Sequence, residues 1–408
     1  MNIKLSKIKN YNIKILLLLI IIGIFFCYKN SYLLSGDTYG IINSFLGIVH
    51  HNQYMPSRAP GSIVTEIIIG FLAYFFGSFP LNLIIYFLNI TGVIFFFLFL
   101  NDKKIYSGNK INDQLILFLL LCLSNWVIFR NSTLLEDYTI PFFFFTLGSF
   151  FLKKKQYELS IIALALSIGA RLNFYIFILI LLFFFKEKNH EISLEKRIIL
   201  ILSVTFIGGL FYLPIWFMNG FKLNWIIGDD LLYNHKLWWP VYTDQGLKGL
   251  LSRFFYKIFY IIGFIQFFII LIYCLLKKIN ILNIKGIKLI LYLILSNLFI
   301  FIYLPYELGY LWIYIILFYY IISVKLNKFF MYLLITINLT SWFFNFNFIS
   351  IKYKEMNMCT SKYAIGAEFK PNLSKGFIFT LEEEKKMIEC FDFNLELKNK
   401  LLKGNALR

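Results

Sequence analysis

Apolar and polar stretches alternate along this chain on the scale of whole helices. A run of about 17–25 apolar residues can cross a bilayer core as a helix. The lysine-bearing breaks between runs set direction, because basic loops stay on the cytosolic side. The first span, about residues 13–29, is built on an apolar run from Ile15 to Cys27 that follows Lys4, Lys7, Lys9 and Lys14, with no small-residue cleavage site after it. It reads as an uncleaved signal anchor with its N-terminus in the cytosol. Residues 30–60 are polar with little positive charge. Residues 62–77 are apolar but short, and end at Gly77-Ser78-Phe79-Pro80, so they read as a helix lying in or re-entering the outer leaflet. Further spans fall at 81–100, 113–129 and 138–152, returning to Lys153-Lys154-Lys155.

Residues 157–185 fit either one long tilted helix or a hairpin of two short spans broken near Gly169-Ala170-Arg171. The hairpin keeps Lys186, Lys188, Lys196 and Arg197 on the cytosolic side, and it takes an arginine out of mid-membrane, where charge is costly. The remaining spans are 198–217, 254–276, 287–304, 308–323 and 329–349. The expected fold is therefore an all-α polytopic membrane protein of about eleven transmembrane helices over residues 1–349, a count that places every basic turn inside. A small polar tail, 350–408, follows on the non-cytoplasmic side, with a helix expected from Glu382.

Composition agrees with this class. The chain has 408 residues, 59% hydrophobic and 20% aromatic, against about 45–50% apolar in average usage. The net charge of +18 would suit a nucleic-acid partner, but the lysines lie mostly in the breaks between apolar runs, where topology puts them. No nucleic acid is inferred. Of five cysteines, Cys27, Cys122 and Cys274 sit in apolar runs, while Cys359 and Cys390 of the tail either pair or remain thiols. The chain has no phosphate-loop or dinucleotide fingerprint and no cysteine or histidine metal motif, which argues against an ATP-driven pump or a cytosolic nucleotide-sugar enzyme.

Acids and arginines gather in the outward loops. The first carries Asp37 just after the opening span, then Arg58-Ala59-Pro60-Gly61, with Glu66 inside the apolar run that follows. The second carries Glu136-Asp137 at the mouth of a span. A late one reads Pro305-Tyr306-Glu307-Leu308-Gly309-Tyr310. In the loop at 218–252, Asp229, Asp230 and His235 match no metal-ligand spacing, and Trp238-Trp239 reads as an interfacial belt. That loop is either a flap over a site or an amphipathic surface helix.

The order and sidedness of these pieces resemble the GT-C superfamily of integral membrane glycosyltransferases, over residues 10–350. The architecture is similar to the protein mannosyltransferase-like and aminoarabinose transferase-like branches. It lacks their Lys-Pro-Pro run, so the resemblance names no sugar. It implies a sugar donor on a polyprenyl phosphate, an acceptor hydroxyl of a glycan, lipid or protein, and transfer at the outer face of a membrane, expected to be the plasma membrane.

Such a transfer needs a carboxylate to deprotonate or orient the acceptor, and positive charge or a divalent ion to stabilise the departing phosphate. The resemblance gives Asp37 the role of base; its other reading is a cap on the next helix. Glu136 and Asp137 would position the acceptor or, with Asp37, hold magnesium or manganese; their other reading is a helix N-terminal charge. Arg58 and Arg171 would grip the donor phosphate, or else snorkel at the interface. Glu66, which Arg58 could partner, and Glu307 and Tyr310 would line the pocket. The rival readings are a polymerase or ligase of lipid-linked glycans, expected to carry a large arginine-bearing late loop, and a flippase or transporter, expected to show internal repeats and mid-membrane charge.

Overall fold

A computed structural model describes residues 2–32, 36–57, 61–101, 106–107, 110–111, 113–135, 137–185, 192–218, 246–278, 284, 286–303, 308–354, 363–379 and 395–408. The chain is dominated by helices. Helix α1 spans Asn2–Lys29, and α2, Gly36–His51, occupies what reads in sequence as a polar loop. Helices α3, Ile63–Phe76, and α4, Ser78–Leu100, part at Gly77, whose φ of 83° breaks the helix at a conformation glycine tolerates. A short hairpin of β1, Tyr106–Ser107, and β2, Lys110–Ile111, follows. Then come α5, Asp113–Ser124, α6, Trp126–Thr133, and α7, Thr139–Lys153.

The apolar stretch at 157–185 is two helices, α8, Tyr157–Ala170, and α9, Phe174–Phe184. They part at Arg171, whose backbone is extended. Helices α10, Leu194–Leu210, and α11, Leu213–Met218, complete this half. Beyond residue 245 lie α12, Gly246–Ile262, α13, Phe264–Leu276, and α14, Ile287–Tyr303. A 3-10 turn, Leu308–Leu311, leads into α15, Trp312–Lys325, and α16, Lys328–Thr340, follows.

Three expectations change. Among the described residues, two helical segments are long and apolar enough to cross a membrane, Tyr11–Lys29 and Ser78–Leu100, or up to four if each of two bent pairs is one span. The other apolar helices are only 10–17 residues long, so the structure does not reach eleven spans on this measure. Second, the expected single spans at 113–129 and 254–276 are both broken. Helices α5 and α6 bend by 77° at Asn125, and α12 and α13 bend by 81° at Gly263. Third, the last expected span stops at Thr340. An antiparallel hairpin follows, β3, Phe344–Lys354, and β4, Tyr363–Lys375, with Phe344 opposite Lys375 and Lys354 opposite Tyr363. A final helix, α17, spans Leu395–Lys403. The expected helix at Glu382, and Cys359 and Cys390, lie outside the described residues.

Basic turns gather at one end of the bundle, where they cap helices. The Lys153 ammonium donates to the carbonyls of Leu98, Phe99 and Asn101, each at 2.8 Å. Arg197 does the same for α9, reaching Leu182, Phe183 and Phe185 at 2.7, 2.6 and 2.8 Å. The last carbonyls of a helix have no partner within it, and cations suit its negative end. Tyr320 bonds to the Leu100 carbonyl and Lys328 pairs with Asp113 at this same end. Lys153, Arg197 and Lys328 therefore have a local structural task in these turns.

The opposite end is closed by α3, which crosses it sideways. Thr65 in its first turn donates to the Ala170 carbonyl at the end of α8, 3.0 Å. Its last turn meets the C-terminus: Leu407 and Arg408 donate their backbone N–H groups to the Ala73 and Tyr74 carbonyls. Phe71, Phe75 and Phe76 of α3 stay exposed. The helix read from sequence at 62–77 is thus present as α3.

Candidate functional site

Three separated segments meet at the end opposite the lysines. Thr38, in the first turn of α2, donates its hydroxyl to the Leu135 carbonyl at 2.7 Å. That bond fastens the start of α2, with Asp37 at its second position, against the loop joining α6 to α7. The side chain of Asp37, and all of Arg58, Glu136 and Glu307, lie outside the described residues. So does the 219–245 stretch, with Asp229, Asp230 and His235.

Asp137 of that loop is fully buried and forms an ion pair with Arg171. The Arg171 guanidinium also donates to the Tyr138 hydroxyl at 2.8 Å. It lies 3.8 Å from the centroid of the Tyr138 ring and 5.0 Å from that of Tyr310. The two rings meet edge-on, 5.7 Å between centroids. The helix break explains how the arginine gets there: α8 ends at Ala170, and an extended residue next leaves the helix surface and turns toward the start of α7. A buried guanidinium needs a counter-charge and hydrogen-bond acceptors, and tyrosine faces add attraction. All three are present.

Glu66 is the second buried carboxylate, 1% exposed. It accepts from the Ser57 backbone N–H at 2.8 Å and from the hydroxyls of Ser57 and Tyr54. It also sits in the first turn of α3, where the helix dipole favours negative charge. Burial first, and then the charge and hydrogen bond of Glu66, push the Tyr54 phenol above its ordinary pKa, so it stays protonated and donates. Tyr212 links the two charge centres. Its hydroxyl donates to the Ile168 carbonyl at 2.7 Å, and it lies within electrostatic reach of both Glu66 and Arg171.

The described centre thus holds two carboxylates and one guanidinium, lined by tyrosines, at one end of the bundle. Carboxylates can accept a proton or orient a hydroxyl. The guanidinium can hold an oxyanion bidentately if Asp137 yields its place. Among the described residues no group of three or more His, Cys, Asp and Glu side chains is placed to hold a metal ion. Two of the three expected metal ligands, Asp37 and Glu136, have side chains outside that set.

No protein family, curated protein or solved structure matches this chain.

Of the residues read from sequence, the structure brings Asp137, Arg171 and Tyr310 together, with Glu66 beside them. Tyr138, Tyr54, Ser57 and Tyr212 were not assigned from sequence. Tyr138 follows Asp137 directly, and Tyr54 and Ser57 flank Met55-Pro56 ahead of Glu66. Their signal was adjacency to a buried acid, which carries little information until the fold shows which acids are buried.

Proposed function

We propose that this chain is a GT-C type membrane glycosyltransferase, moving a sugar from a polyprenyl-phosphate donor to a hydroxyl acceptor at the non-cytoplasmic face. What supports the reading is convergence: the first-loop acid segment, the Asp137 loop, the break at Arg171 and the Tyr310 turn come to one end of the bundle, opposite the lysine caps. In this reading Asp37 takes the acceptor proton, and Glu136 and Asp137 orient the acceptor or share a divalent ion with it. Arg171, with Arg58, receives the donor phosphate, trading Asp137 for the phosphate oxygens. Glu66, Glu307 and Tyr310 line the pocket, and the multi-pass fold presents it to the lipid.

The test is Asp37→Asn. We expect loss of glycosyl transfer with expression and membrane insertion unchanged; full activity in this variant removes Asp37 as the base. Comparing envelope glycans of cells with and without the protein would name the product.

One observation favours a second reading, a transporter or flippase for a lipid-linked glycan. Two bent helix pairs occur among the described residues, and discontinuous helices commonly build transport sites. Movement of a labelled lipid-linked glycan across proteoliposomes without any new glycosidic bond would select it.

A further inference from the structure

The two bent pairs touch at their breaks. Asn125, between α5 and α6, donates to the Ile261 carbonyl at the end of α12, 2.7 Å, and to the Tyr319 hydroxyl, 2.9 Å. Gln266, in the first turn of α13, donates to Asn338 at 3.2 Å, and Asn338 donates to the Ser124 hydroxyl at 3.2 Å. Broken backbone at membrane depth is tolerated where it is buried in protein or lines a cavity. A cavity of about 50 Å³ lies beside this junction, lined by Trp126, Tyr260, Gln266, Thr340, Ser341 and Asn345 with aliphatic and phenyl groups. Gln266 and Asn345 are buried, and the rings of Trp126 and Tyr260 meet edge-on at 5.0 Å.

We propose that this cavity is a subsite for one neutral sugar unit of a glycan, gripped by an edge of its ring. Among the described residues no charged side chain lines it, and the Lys257 ammonium lies outside the lining, 5.9 Å from the Tyr260 ring centre, so a phosphate, carboxylate or ammonium group would enter without a counter-charge in contact, at high cost. Amides and hydroxyls offer both donors and acceptors, which suits a hydroxyl-bearing ligand, and the Trp126 and Tyr260 rings, stacked on Phe377 and Tyr256, give the wall an apolar edge for its C–H groups. Size restricts what enters. One water needs roughly 10–15 Å³ and a whole small ligand fills roughly 300–1,000 Å³, so this space takes a hydroxymethyl arm or ring edge while the rest lies outside.

Helix α6 joins the two sites. Its eight residues, about 12 Å at about 1.5 Å per residue, run from the cavity at Trp126 toward the Asp137 loop. A ligand touching both is an oligosaccharide rather than a single sugar. Its identification as the acceptor rests on the glycosyl-transfer reading; the subsite itself does not.

The test uses the full chain purified in an amine-oxide detergent, which has no sugar headgroup. Saturation-transfer NMR would follow N-acetylglucosamine, chitobiose and maltose, with glucuronic acid and glucosamine as charged comparators. We expect saturable binding of at least one neutral saccharide, with charged comparators about tenfold weaker or worse. Asn345→Ala and Trp126→Phe should weaken that binding by about fivefold or more, measured below the melting temperature of each variant so that only folded protein is compared, because both side chains are buried and some loss of stability accompanies the change. Absence of saturable binding by wild type, equal binding of the charged sugars, or wild-type affinity in both variants would overturn the subsite. Binding without transfer leaves the subsite standing and removes the acceptor role; transfer without binding removes the subsite and leaves the glycosyl-transfer reading standing.

Discussion

At the scale of single residues, the Asp137–Arg171 pair governs the buried end of the bundle. Both groups are buried, so removing either leaves a charge without its partner, which typically costs about 3–5 kcal/mol. Arg171→Gln and Asp137→Asn should each lower the melting temperature sharply. The double variant should recover most of the loss, because its two neutral amides need no counter-charge. Thermal melting of the four proteins measures this; simple additivity of the two losses would show that the pair is not coupled in the folded protein. The cost of placing each charge was legible in sequence: an arginine in an apolar run, and an acid at the mouth of one. Their pairing was not, since nothing local says that the end of α8 meets the start of α7.

Among elements, the helix breaks carry the information. Gly263 has φ of 91°, a conformation that L side chains rarely adopt, and a Cβ there would collide with the Gln266 side chain. Gly263→Ala should therefore destabilise the α12–α13 corner, read as a lower melting temperature. Asn125 accepts from the N–H groups of Val127 and Ile128 at the start of α6 and donates to Ile261. Asn125→Ala should cost about 1–2 kcal/mol for the cap, with more for the Ile261 carbonyl it leaves buried. If unfolding of this variant matches wild type, the corner is not held by Asn125. Neither break stands out in an apolar run, because a lone Asn or Gly changes mean apolarity little. The β3 strand was legible by period. Phe344-Asn345-Phe346-Asn347-Phe348 alternates every second residue, the strand signature, but it continues directly from an apolar helix and is absorbed by a reading that follows run length alone.

For the whole molecule, sidedness is the testable quantity. The lysine caps and the Asp137–Arg171 centre lie at opposite ends of the bundle. Single cysteines at the exposed positions Gln53 and Lys154 should react with a membrane-impermeant maleimide from opposite faces of sealed vesicles, and labelling from one face would break the topology. The C-terminal residues also bind the fold together. Ser78 donates its N–H to the Gly404 carbonyl, Tyr32 donates its hydroxyl to the Asn405 carbonyl, and Leu407 is buried. Deleting residues 404–408 should speed hydrogen exchange at residues 77–80, measured by mass spectrometry, because the Ser78 amide loses its acceptor.

The amino-acid pattern by itself determined the helical, membrane-compatible class and the separate short helix at 62–77, and it offered a break at Arg171 as one of two readings, because each follows from local apolarity and the cost of charge in hydrocarbon. Only the tertiary structure decided where long apolar runs bend, that Asp137 neutralises Arg171 between two tyrosine rings, and that the chain end seals α3 against α4. Those outcomes depend on which distant backbone groups and charges find each other, and hydrogen bonds between remote segments leave no period in the sequence.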